Sequence, residues 1–264
     1  MAEFTAKDVQ RLRQSTGAGM MDAKRALEEN DGDFDTAVKW LREKGLAKSA
    51  TRGDRENVEG AVAAASSDTA AALVELRCET DFVAKSDGFV AVADQLAEAV
   101  ADQGEAALDD LKDTVDDLKI TLKENIDVGR VVRFEAADGN VLDTYLHRQE
   151  GRGKVGVLVE LAGGSQELAH DIAVHAAFTK PEYLSRDEVP AEKVEEEREV
   201  LLAQTRQEGK PEQAWPKIVE GKLTGWFRDA VLLDQKFVRD ESKTVEQLLG
   251  DAELVRFGII VVGG

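Results

Sequence analysis

The chain has 264 residues, of which 42% are hydrophobic, so it can bury a substantial core and its length suits two domains. Its 34 basic and 53 acidic side chains give a formal charge of −19. That charge disfavours direct binding to nucleic-acid phosphates or to an anionic membrane surface. A partly basic protein is the kind of partner that this composition favours.

The single cysteine, the N-terminal residues and the length of the apolar runs lead to further predictions. Cys78 is the only cysteine, which excludes an intrachain disulfide, and a small buried side chain is its simplest interpretation. The N-terminal residues lack the basic and then apolar pattern of a signal peptide, and no apolar run approaches the ~20 residues that span a bilayer. The sequence therefore predicts a cytoplasmic protein without membrane contact.

Residues 1–45 predict a compact module of three short helices. Thr5 and Asp8 form a capping-box pattern at the start of the first helix, and Gly45 is expected to end the third. Helices this short are stable in water only when they pack on one another. The second helix carries apolar residues at core spacing, which are Met20, Ala23 and Leu27.

After a polar linker at residues 46–57, the chain predicts an α+β core of two related subdomains, 58–139 and 140–264. Each subdomain begins with two strands and a following helix. The tetrapeptide LVEL occurs at 73–76 and again at 158–161, at the same place in each unit. This repetition indicates a duplicated hairpin-plus-helix unit.

The second subdomain carries an insertion at about residues 191–227. Two helical stretches are joined by GKP at 209–211, which predicts an antiparallel helical hairpin. Pro216 would kink a helix interior, so it either distorts the second helix or lies in that helix's first turn.

Motifs for covalent chemistry are weak throughout the sequence. Residues 151–156 fit G-x-G-x-x-G, but they form a hairpin turn that leads into a strand, whereas a dinucleotide site leads from a strand into a helix. His170 and His175 are five residues apart, off the spacing that places two metal ligands on one helix face. We therefore predict no catalytic residue, no metal site, no cofactor and no small-molecule substrate.

The segment at residues 80–85, TDFVAK, allows two interpretations. Helical periodicity places Phe82 seven residues before Phe89, on the core face of one continuous helix. Alternatively, residues 86–88 break the chain and Thr80 caps a separate turn, from which Phe82 projects towards another protein. The pattern alone does not decide between a core side chain and a projecting wedge.

The same segment carries a family resemblance. TDFVAK at 80–85 and TGAGMMDAK at 16–24 resemble the motifs of the bacterial elongation factor Ts family. The likeness continues through GKP at 209–211, IVEG at 218–221 and SKTV at 242–245. Members of that family are guanine-nucleotide exchange factors for elongation factor Tu, so the resemblance implies a partner protein that binds GTP.

The resemblance also implies how the exchange turn acts. In the family this turn intrudes near the Mg²⁺ and nucleotide site of elongation factor Tu. Carried over, Phe82 enters an apolar pocket and Asp81 helps to dislodge Mg²⁺, after which GDP loosens and GTP rebinds. The residues of the turn are Thr80, Asp81, Phe82 and Val83.

Four further residues are partner contacts by resemblance. Arg13, Met20 and Met21 match the family's contacts to the nucleotide domain, and His147 matches a contact to another domain of elongation factor Tu. The alternative for Met20 is a core position in the three-helix module, and for His147 an exposed strand position without a role. Lys123 stands where the family often has glycine.

Two other functions stay open at this point. The N-terminal helices also resemble ubiquitin-associated domains, which would suit an adaptor protein without exchange activity. An adaptor has no need of the Asp81-Phe82 pair, so that pair favours exchange. An unrecognised enzyme is the third possibility, and its signature would be turnover that depends on a metal or a cofactor.

Overall fold

The computed structural model describes residues 4–264, so the first three residues of the predicted N-terminal module lie outside the described residues. Three helices follow. A capping box begins the first: the Thr5 side chain accepts a hydrogen bond from the Asp8 backbone, and the Asp8 carboxylate accepts one from the Thr5 backbone. The helices are α1 (Ala6–Thr16), α2 (Met20–Glu29) and α3 (Phe34–Ala50).

The next part of the chain is a three-stranded antiparallel sheet with helices on one face. Its elements are β1 (Glu59–Ser66), β2 (Ala70–Cys78), α4 (Asp81–Ala84), α5 (Asp87–Gln103), α6 (Ala107–Asp110), α7 (Lys112–Leu122) and β3 (Asp127–Glu135). The strand order is β1-β2-β3. Helix α5 covers the outer face, where Phe89 and Leu96 pack with Ala61 and Val74.

Helix α3 is longer than the sequence predicts. The expected end at Gly45 is wrong, since the helix continues to Ala50. Gly45 instead lets α3 approach α7 closely, because a Cβ at this position would lie 2.8 Å from the Cγ2 atom of Ile120. A glycine that allows helix packing and a glycine that ends a helix look the same in a sequence.

The remainder of the chain repeats the hairpin-plus-helix plan and adds further elements. They are β4 (Val141–Gln149), β5 (Arg152–Ala162), α8 (Gln166–Thr179), α9 (Ala191–Gln207), α10 (Trp215–Ala230), β6 (Lys236–Phe237), β7 (Asp240–Thr244), α11 (Val245–Leu249) and β8 (Glu253–Val261). The second sheet has the order β4-β5-β8. Helix α8 covers its outer face, where Ile172 and Ala176 pack with Val157 and Leu161.

The two sheets pack face to face, which gives a core of four layers. Val62 of the first sheet meets Leu158 of the second in the centre. The approach is close because the second sheet carries glycines: a Cβ on Gly156 would lie 2.7 Å from Val62, and one on Gly258 would lie 2.5 Å from Val132. The mixture of helices and sheets confirms the predicted α+β class.

Helices α9 and α10 pack side by side as a separate layer. Their small core contains Leu201 of α9 and both Val219 and Leu223 of α10. Pro216 is the second residue of α10, where a missing backbone N–H does no harm, so the helix is not interrupted.

Candidate functional site

The segment that follows β2 is a separate helical turn, not an extension of α5. Thr80 caps α4, its hydroxyl accepting a hydrogen bond from the Val83 backbone at 3.4 Å. Ser86 has extended backbone angles and is the residue immediately before α5, which begins at Asp87. Phe82 is 74% exposed, whereas Phe89 is fully buried. The break at Ser86 therefore removes Phe82 from the core face that continuous periodicity would give it.

Lys85 contacts both side chains that the turn presents. Its Nζ atom lies 3.0 Å from Oδ2 of Asp81 and 4.7 Å from the centroid of the Phe82 ring. The hydrogen bond from Lys85 lowers the pKa of Asp81 below its ordinary value. The turn thus displays an ionised carboxylate beside an exposed aromatic ring, and one ammonium group contacts both.

The inner side of the turn is anchored in the first sheet's core. Ala84 is buried and Val83 packs against the same cluster. The Cys78 thiol donates a hydrogen bond to the Thr80 carbonyl at 3.2 Å. Burial raises the pKa of Cys78 to about 12, so this thiol is protonated at neutral pH and is not a nucleophile.

The loop between α7 and β3 holds the turn from the other side. The Glu124 carboxylate accepts hydrogen bonds from the backbone N–H groups of Glu79 and Thr80 and from the Thr80 hydroxyl. Sequence reasoning missed this role and noted only that Lys123 replaces a glycine. Lys123 has φ of 60°, in the left-handed region that glycine favours, and the chain turns there.

The predicted N-terminal contacts are exposed. Arg13 lies on the solvent face of α1, and Met20 and Met21 are 49% and 72% exposed. The core alternative for Met20 is wrong. Because α2 begins at Met20, the helix's buried face starts one turn later, and its buried residues are Ala23, Ala26 and Leu27.

His147 is an exposed residue of β4 and lies on a groove of about 570 Å³. Phe178 of α8 borders the same groove and is 78% exposed. Sequence reasoning missed Phe178. Its exposure could have been predicted from helical periodicity, because Phe178 lies outside the buried face of α8 that contains Ile172 and Ala176.

The two histidines of α8 have protein partners. His170 lies 3.1 Å from the Asp143 carboxylate, and His175 is buried 2.9 Å from the Gln235 side-chain oxygen. Among residues 4–264 no group of three or more His, Cys, Asp or Glu side chains is arranged to hold a metal ion. Across the same described range, no helix combines the length and apolarity needed to cross a membrane.

Sequence comparisons find a family profile and close relatives that share one name. The family profile described as Elongation factor TS matches residues 79–264. A relative named Elongation factor Ts from Acidothermus cellulolyticus is 44% identical, with 100% of this chain and 99% of the relative aligned. Relatives of the same name from Thermobifida fusca and Saccharopolyspora erythraea are 44% and 46% identical and cover 96% and 100% of this chain. They are covered over 95% and 97% of their own lengths.

An anchored turn that exposes an acidic and an aromatic side chain suits a protein that acts on another protein. The relatives identify the class of protein: it is a translation elongation factor that acts as a nucleotide exchange factor. The chain belongs to the elongation factor Ts family.

Proposed function

We propose that the chain promotes GDP release from elongation factor Tu by inserting the 80–83 turn near the partner's Mg²⁺ and nucleotide site, so that GTP can rebind. One observation carries this proposal: Phe82 is 74% exposed on a short turn that is capped and anchored on its inner side. Exposed single apolar residues are common, but an exposed phenylalanine on a fixed turn is typical of an interface anchor.

The chemistry follows from the two displayed side chains. The Phe82 ring supplies apolar surface for a pocket, and the Asp81 carboxylate supplies negative charge that shifts the groups holding Mg²⁺ and so helps to dislodge the ion. The bound Mg²⁺ is the largest positive charge near the nucleotide's phosphates, so its displacement weakens GDP binding. Binding free energies are reciprocal, so GDP must weaken the binding of this protein by the same factor.

Other exposed residues extend the proposed interface. Arg13, Met20 and Met21 would contact the nucleotide domain, and His147 with its groove would contact a second domain of elongation factor Tu. Their exposure supports these roles, because each side chain is accessible in the free protein. The site of action would be the cytoplasm, where translation takes place, and no cofactor is needed because the factor makes no covalent bond.

We also propose the domain division that goes with this function. Residues 1–45 would form the module that binds the nucleotide domain, and residues 46–57 the linker, in which 46–50 continue helix α3. Residues 58–139 and 140–264 would form the two related core subdomains. The close packing of α3 on α7 supports a fixed position for the module relative to the 80–83 turn.

The direct test is release of fluorescent GDP from purified elongation factor Tu, measured by stopped flow at increasing concentrations of this protein. Acceleration that rises with concentration and saturates is the expected result. A folded protein that gives no acceleration at any concentration would reject the proposal. Excess GDP should weaken the complex, and an affinity independent of GDP would contradict the reciprocal mechanism.

A further inference from the structure

We infer that Glu124 is a positioning residue that holds the 80–83 turn in its active shape before the partner arrives. This inference rests on the proposed function. Oε2 of Glu124 accepts hydrogen bonds from the backbone N–H groups of Glu79 at 3.0 Å and Thr80 at 3.1 Å. Oε1 accepts a third from the Thr80 hydroxyl at 2.6 Å. One carboxylate therefore binds three donors at the start of the turn.

The third hydrogen bond fixes the direction of the Thr80 hydroxyl. A hydroxyl has a single proton, and here that proton points to Glu124. The oxygen lone pairs are then free to accept from the Val83 backbone, which caps α4. Glu124 thus acts on the cap itself, and through the cap on the segment that carries Phe82.

A reciprocal hydrogen bond closes the contact. The Asn125 backbone N–H donates to Oε1 of Glu79 at 2.7 Å, so each of the two neighbouring segments sends a carboxylate to the other's backbone. The two negative charges are compensated in part by Arg55, whose Nη1 atom is 3.4 Å from the Glu79 carboxylate. We call this group, Glu79 with Glu124 and Asn125, the latch.

The latch also contacts the chain that leads from the N-terminal module. The Asn125 side chain donates to the carbonyl oxygens of Gly53 at 3.2 Å and Arg55 at 2.7 Å. The preceding helix, α7, packs directly on α3, with Arg42 of α3 2.7 Å from Asp113 of α7. Helix α7 and the loop after it therefore connect the N-terminal module, the linker and the 80–83 turn.

Preorganisation is the physical consequence. Without Glu124 the turn would sample other conformations, and the partner would have to select the fraction in which Phe82 projects correctly. Apparent affinity falls in proportion to that fraction. Loss of Glu124 should therefore raise the concentration needed for half-maximal GDP release, while the rate at saturation changes less.

Hydrogen exchange in the free protein tests the latch without any partner. NMR should show the amide protons of Glu79 and Thr80 exchanging at least about tenfold faster in Glu124→Ala, because their acceptor is gone. Glu105→Ala is the matched control, since it removes an exposed carboxylate from the same subdomain and should leave both amides unchanged. Unchanged protection in Glu124→Ala would overturn the latch.

GDP release from elongation factor Tu tests its role in exchange. Glu124→Ala should raise the half-maximal concentration about tenfold or more, and Glu124→Gln, which keeps one acceptor oxygen, should show a smaller rise. The double variant Thr80→Val with Glu124→Ala should raise the half-maximal concentration little more than Glu124→Ala alone, since the two residues act as one unit. Thermal melting of Glu124→Gln checks that the fold is retained.

The outcomes separate the two proposals. Faster amide exchange with unchanged GDP release would overturn the role of Glu124 in exchange while supporting the contact itself. A wild-type chain that does not accelerate GDP release would overturn the proposed function, and the role of Glu124 with it, whatever the amides show. Faster amide exchange together with a raised half-maximal concentration supports both.

Discussion

Glu75 and Glu160 occupy equivalent positions in the two sheets, and each is a buried carboxylate that is paired with an arginine. They are the acidic residues of the two LVEL tetrapeptides, each on the central strand of its sheet and each 1% exposed. Arg77 donates to the Glu75 carboxylate at 3.0 Å, and Arg256 donates to that of Glu160 at 2.6 Å. A buried carboxylate is tolerated only with such partners.

Replacing Glu160 should destabilise the fold. Glu160→Ala leaves the Ala137 backbone N–H and the Asn140 side chain without their acceptor, and it removes the carboxylate partner of Arg256, which keeps its hydrogen bond to the Glu135 carbonyl. Arg256 is partly exposed and can be solvated, so we expect a loss of about 2–3 kcal/mol in the free energy of unfolding. Urea unfolding measures it. Glu253→Ala, at an exposed acidic position, is the control and should change little.

The same residue predicts a pH dependence. Burial by itself raises the pKa of Glu160, but the hydrogen bonds from Ala137, Asn140 and Arg256 outweigh it and leave the pKa below 4.5. A folded-state pKa below the unfolded value gives stability that is present above pH 4.5 and is lost as pH falls through the folded pKa. The stability difference between wild type and Glu160→Gln should therefore shrink below pH 4.5. A stability difference between the two proteins that stays constant below pH 4.5 would contradict this prediction.

Phe82→Ala separates the two interpretations of the 80–83 turn. The side chain is exposed, so the melting temperature should stay within about 1–2 °C of wild type, as expected for surface changes. Binding to elongation factor Tu should weaken by about 2–4 kcal/mol, as for a buried aromatic anchor in an interface. Fluorescent GDP release and calorimetric melting measure the two effects.

Phe89 supplies the contrasting control. It is fully buried, so Phe89→Ala should lower stability by about 3–5 kcal/mol. A large drop in the melting temperature of Phe82→Ala, similar to that of Phe89→Ala, would mean that Phe82 belongs to the core.

His175 should make stability depend on pH near neutrality. Burial lowers the pKa of His175 below 6.5, only partly opposed by its hydrogen bond to Gln235. The Val238 backbone N–H also points to Nδ1, which suits a neutral ring. The free energy of unfolding should fall as pH drops below 6.5, because the unfolded state binds the proton more tightly.

Comparison of variants isolates this contribution. His175→Gln should show a smaller loss of stability between pH 7 and 5.5 than wild type in urea unfolding. Val200→Gln, at an exposed position without a titratable group, is the control and should keep the wild-type slope. Identical slopes for wild type and His175→Gln would show that His175 does not titrate as the structure implies.

Lys123→Gly should stabilise the protein. Lys123 has φ of 60°, which costs a residue with a side chain roughly 1 kcal/mol relative to glycine. Urea unfolding should show a gain of about that size. Lys39→Gly is the matched control, because Lys39 is exposed in the interior of α3 and its replacement should cost about 1 kcal/mol. A loss of stability in Lys123→Gly would mean that its side chain makes a stabilising contact.

Local sequence signals predicted much of this structure. The capping pair Thr5 and Asp8 and each of the two LVEL strand segments depend on residues close in the chain. Two of the failures had distant causes. Gly45 was misread because its reason is Ile120, which lies 75 residues away and contacts it only in the fold. The role of Glu124 was missed for the same reason.

The candidate site shows where pattern reasoning stops. Periodicity placed Phe82 seven residues before Phe89 and could not decide whether the helix was continuous. The deciding features are the extended backbone of Ser86, which separates α4 from α5, and the contact of Glu124 with Thr80. Family resemblance singled out this segment, but only the folded structure gives the exposure of the ring.

Gly156 and Gly258 set the thickness of the core. The missing side chains let the second sheet lie against Val62 and Val132 of the first. The 80–83 turn is attached to one sheet and His147 to the other. Under the proposed function, the close packing of the two sheets therefore fixes the distance between the surfaces that contact two domains of the partner. Gly258→Ala would push the two sheets apart, and the factor would then fit a conformation of its partner in which the two domains are spaced differently.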